Sequence, residues 1–119
     1  MRAAAWLLGL VLAAGCAPPA PSALTAEVRC DAERGLRHRC TVRLADGDLP
    51  FLGATVVLSA DMPSMPLAHH VPPVTCMPGG SPGTYVGTLD FEMPGRWMLG
   101  IRITGPRPDY LTREVDVRG

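Results

Sequence analysis

"GTYVGTLDFEMPGRWMLGIRI" (residues 83–103) decides the fold. Tyr85, Leu89 and Phe91 share one parity, with Thr84, Thr88 and Asp90 between them. After the turn signal "MPG", Trp97, Leu99, Ile101 and Ile103 repeat the pattern, with Met98, Gly100 and Arg102 facing outward. An apolar period of two marks a strand with one buried face, so this stretch reads as two strands with Tyr85 and Trp97 in the core. Upstream, Val28 and Cys30, then Cys40, Val42 and Leu44, alternate with Glu27, Arg29, Thr41 and Arg43 and read as a hairpin. "ATVVLSA" (54–60) lies between the turn signals "DGDLP" and "DMP" and is a third strand. A weak strand follows over 74–77, and "YLTREVDV" (110–117) is the last. No part of the mature chain has helical periodicity. About seven short strands with frequent turns predict an all-β fold, an antiparallel immunoglobulin-like β-sandwich.

The 119 residues, 47% of them apolar, suffice for one such core. The N-terminus is set apart from it. Met1-Arg2 precedes an uncharged apolar run over 3–14, too short for a membrane-spanning helix and laid out as a signal-peptide core. "LAAGC" resembles the bacterial lipobox, which would make Cys16 the acylated N-terminus of the mature protein. An ordinary signal, cleaved or uncleaved, is the alternative. "APPAPSA" (17–23) is then an extended proline spacer. The expected organisation is a lipoprotein signal peptide over 1–15, a lipidated cysteine and spacer over 16–23, and the sandwich domain over 24–119. Ala17, where aspartate would retain a lipoprotein in the inner membrane, favours the outer membrane in a two-membrane bacterium, with another periplasm-facing membrane as the alternative.

Eleven arginines and eleven acids leave the chain neutral, with no lysine and no global field to hold nucleic acid. Arg29, Arg34, Arg37, Arg39 and Arg43 cluster about "CDAERGLRHRC" (30–40). This reads as a solvated turn, or as a basic tip touching anionic lipid near the anchor. With Cys16 acylated, three cysteines remain in an oxidising compartment. Cys30 and Cys40 share strand parity and are expected to bridge across the hairpin, leaving Cys76 as the odd thiol. A Cys30–Cys76 pairing is the alternative.

"DMPSMPLAHHVPP" (61–73) carries two methionines, two histidines and four prolines in thirteen positions. Extended, Met62 and Met65 lie about 10 Å apart, too far to share an ion. Pro63 at the second position of a turn would bring their Cα atoms within about 7 Å. Thioether and imidazole ligands select Cu(I), and methionine survives where thiols oxidise. The candidate ligands are Met62, Met65, His69, His70 and Met77, with Cys76 as a further possibility. The alternative is a hydrophobic lid, since methionine also fills the open ends of sandwiches.

No enzyme is expected. "GGSPG" (79–83) matches the nucleophile-elbow pattern without the helix that such an elbow requires. No zinc-protease motif, phosphate loop or dinucleotide fingerprint occurs. "DGD" (46–48) is too short for a calcium loop.

The stretch over 83–103, with Gly-x-Tyr, a strand, Met-x-Gly-x-Trp and a second strand, resembles the FixH/YtkA-like domains. "DMPSMPLAHHV" resembles a Met-Pro-x-Met segment of YtkA-like members. The resemblance extends over 25–119. It implies a small β-sandwich tethered to a bacterial membrane. FixH-type relatives, associated with assembly of copper-containing oxidases, carry a transmembrane anchor instead of a lipobox, so their oxidase role is not carried over. Two functions follow as expectations: a lipid-anchored envelope protein holding Cu(I) in its Met/His loop, as an accessory or metallochaperone-type protein, or a metal-free module docking another envelope protein through that loop.

Overall fold

The computed structural model describes residues 23–65 and 69–119, with Gly9 and Gly15. The signal-peptide and lipidation expectations, Cys16 included, lie outside the described residues. Nine strands form two antiparallel sheets among the described residues. In the first, β1 (Thr25–Arg34), β2 (Arg37–Asp46), β7 (Thr84–Asp90) and β6 (Met77–Pro78) lie in that order, with β3 (Leu49–Pro50) also on β2. The second has the order β5 (His70–Thr75), β4 (Thr55–Asp61), β8 (Gly95–Thr104) and β9 (Asp109–Val117). Seven of these are the expected strands of an immunoglobulin-like sandwich, and β3 and β6 are two-residue additions.

The alternation read from the sequence is the burial pattern. Tyr85, Leu89 and Phe91 from one sheet meet Trp97, Leu99, Ile101 and Ile103 from the other in a single core. Burying the two polar-tipped aromatics requires partners for their polar atoms. Trp97 Nε1 donates to the Met93 carbonyl (3.1 Å). The Tyr85 hydroxyl donates to the Phe51 carbonyl (2.9 Å) and accepts from the Ala54 amide (3.2 Å), fixing the crossing from β3 to β4. Gly100 differs from its expected outward exposure. It is buried on the outer face beneath the Tyr110 hydroxyl and Ser59 Oγ, which a Cβ there would meet at 2.6 and 2.9 Å.

Cys30 and Cys40 stand directly opposite in the β1–β2 register and are disulfide-bonded, as expected. Strand parity points both inward, and Cys40 is fully buried.

The topology gives the sandwich two distinct ends. At one, Thr25 of β1, Ala45 of β2 and Pro50 of β3 lie in one row, where the chain enters the domain. At the other are the β1–β2 turn, the β7–β8 loop and the loop between β4 and β5, because Arg37 pairs with Asp90 and Asp61 pairs with both Met98 and His70. Ten residues of β1 separate the ends by about 30 Å. The arginine-rich hairpin tip is therefore remote from the point where any tether joins, and Arg37 is bound there by Asp90 (2.9 Å).

Candidate functional site

Met62–Met65 and His69–His70, the described parts of the loop between β4 and β5, lie at the end remote from the chain's entry. Its local fold follows from Pro63, whose ring fixes φ near the value required at the second position of a turn. The Met65 amide donates to the Met62 carbonyl at 3.0 Å, closing the expected four-residue turn. The Met65 carbonyl in turn accepts from the His69 amide at 3.4 Å, so Met65 links the turn to the first histidine.

The two methionines differ in environment. Met62 is 4% exposed and its Cε packs on Gly95, where a Cβ would come within 2.7 Å of it. Gly95 also has φ +141, outside the range that side-chain-bearing residues adopt readily. Met62 thus plugs the end of the core, while Met65 is 38% exposed beside it.

The histidines also separate. His69 Nδ1 donates to Glu92 Oε2 at 2.5 Å, across from the β7–β8 loop. A carboxylate accepts from this nitrogen, so in the neutral ring the proton is on Nδ1 and Nε2 carries the lone pair. A carboxylate behind a histidine is how ligating imidazoles are commonly oriented. His70 begins β5, opposite Asp61, and is exposed.

Cys76 and Met77 are not brought to this loop. Five residue steps of β5, roughly 17 Å of strand, separate His70 from Thr75. The chain then crosses to the other sheet, where Met77 pairs with Val86 and is 72% exposed. Cys76 sits at the crossing, its amide donating to the Val56 carbonyl (2.8 Å). Its thiol fits over Gly87, where a Cβ would meet Sγ at 3.0 Å and Leu58 Cδ1 at 3.3 Å. Burial pushes this thiol up to about 11.

Among the described residues no three His, Cys, Asp or Glu side chains are grouped so as to hold a metal ion. An ion held by the described residues of this loop would therefore have to draw on thioether sulfur, a soft donor. Sequence reasoning missed Glu92, which is 23 residues from His69 and carries no local signal of its contact. It also missed His38, buried at this same end, whose Nδ1 donates to the Leu36 carbonyl (3.1 Å) and whose ring meets Phe91 edge-on (5.4 Å).

No curated protein and no solved structure matches the chain. The YtkA-like family model matches residues 31–102, more than half of the 119, from the β1–β2 hairpin into β8 and including the whole Met/His loop. The chain therefore belongs to the YtkA-like family.

Proposed function

We propose that this protein is a lipid-anchored accessory protein of the bacterial cell envelope that holds Cu(I) at its Met/His loop for delivery or storage. The observation that carries this reading is the closed turn of Met62 and Met65 joined to a histidine whose Nδ1 is held by Glu92. Met65 Sδ and His69 Nε2 are the first donors, with Met62 and His70 completing the set. The lipobox, the proline spacer and family membership support the envelope setting. In an anaerobic competition against a chromophoric Cu(I) chelator, the wild type should bind one equivalent. Met65→Leu and His69→Ala should each weaken binding by at least tenfold, and affinity should fall on acidification, because a protonated imidazole cannot ligate. Leucine keeps the packing volume, so the loss reports the sulfur.

The burial of Met62 favours a second reading, a metal-free interaction module whose methionines close the sandwich and offer Met65 to a protein partner. Failure of the wild type to compete for copper, or leucine variants that compete equally well, would select it.

A further inference from the structure

Two strongly exposed leucines lie at the end of the sandwich opposite the Met/His loop. Leu49 is 71% exposed and Leu52 is 59% exposed. Leu49 pairs with Asp46, one step beyond the row in which Pro50, Ala45 and Thr25 lie side by side. Two strand spacings put Thr25 about 10 Å from Pro50. Leu52 continues the same end and lines a groove of about 360 Å³ with Pro78 and Pro82. The apolar tips thus lie at the same end as the chain's entry, on its β3 side.

We propose that this end rests on the phospholipid bilayer, with Leu49 and Leu52 inserted at its interface, and that the Met/His loop is thereby held about 30 Å out from the membrane. The inference rests on acylation at Cys16, as in the function proposed above. The occupant follows from chain length. Only seven residue steps separate Cys16 from Ala23, so whatever their conformation the domain is confined within about 25 Å of the lipid. At that distance the bilayer's effective concentration at this end is high, and a contact too weak to recruit a free protein becomes populated. The charges nearby are mixed. Arg107 bridges Asp46 at 3.2 Å, and Asp48 and Arg43 both line a neighbouring groove. The contact is therefore apolar and does not require anionic lipid, unlike an arginine-rich tip.

The test uses the full-length, processed protein reconstituted into phosphatidylcholine vesicles with and without brominated acyl chains. Leu49→Trp and Leu52→Trp are compared with Met65→Trp at the opposite end, each corrected for the native tryptophan signal. Acyl labelling is measured on the same preparations. Bromine quenching at positions 49 and 52 at least twofold above that at 65, unchanged when a third of the lipid is phosphatidylglycerol, supports the proposal. Acylated protein with no excess quenching at 49 and 52, or with stronger quenching at 65, overturns it while leaving the anchor intact. Without acyl label the anchor itself fails. Added freely to the same vesicles, that protein supports the docking end if 49 and 52 are still quenched, and overturns it if they are not.

Discussion

Cys76 shows how a single residue reads differently by composition and by place. An odd thiol in an exported chain suggests metal or redox chemistry, but packing over Gly87 beside Leu58 raises its pKa to about 11, and a thiol rather than a thiolate is a poor soft ligand. At pH 8 roughly 0.1% is ionised, so alkylation in the native state should run about a hundredfold slower than for an ordinary cysteine. The rate should climb about tenfold per pH unit until the thiol titrates, and unfolding in denaturant should abolish the protection. Rapid labelling at pH 8 would show the thiol to be accessible and ionised. The sign for stability follows from the same shift. The folded state holds its proton more tightly than the unfolded state, so the contribution is fully present below about pH 9 and is lost as pH rises from about 9 to 11. Met62 makes the same point for the candidate site. Its type signals a soft ligand, while its burial against Gly95 gives it a structural task that a ligand need not have.

Among the elements, β7 and β8 were legible because nearly every second residue is large and apolar and the turn between them is punctuated by proline and glycine. β5 was harder to read. It spans His70–Thr75 rather than beginning at Val74, because its two central prolines argue against a strand unless it lies at a sheet edge, as β5 does. β3 and β6 are too short to carry a period at all. The turn at Pro63 was legible from local chemistry, whereas the meeting of His69 with Glu92 depends on how two loops converge and has no local signature. The β1–β2 hairpin was readable because the cysteines share parity with Val28 and Val42, and its bridge closes a short loop with a sequence separation of 10. In the chain-entropy model such a closure is worth roughly 3 kcal/mol. The Cys30→Ala/Cys40→Ala double variant should therefore lose about that much in urea denaturation, with a further loss from the space left at the buried Cys40. Reductant should lower the wild-type midpoint and leave the variant's unchanged. Equal midpoints for wild type and variant would mean that the bridge does not form in the folded protein.

At the scale of the whole molecule, the sandwich presents different chemistry at each end. The chain enters beside β3, and the described residues of the Met/His loop lie at the other end, with the length of β1 between them. A site so placed is about 30 Å from the chain's entry, so the proposed anchoring and ion binding should be separable. Cys16→Ser should abolish acyl labelling and move the protein from the membrane to the soluble fraction, or stall its processing, because serine cannot form the thioether on which lipoprotein maturation depends. The same variant, purified and folded, should compete for Cu(I) within about twofold of wild type, since about 30 Å of β1 separates the loop end from the end where the chain enters the domain. Conversely, Met65→Leu should keep its acyl label and its membrane fraction while losing copper. An unlabelled wild type whose membrane association is unchanged by Cys16→Ser would remove the lipid anchor. A Cys16→Ser protein that lost copper as well would mean that the two ends are not independent, and that the loop requires the tethered chain for its shape.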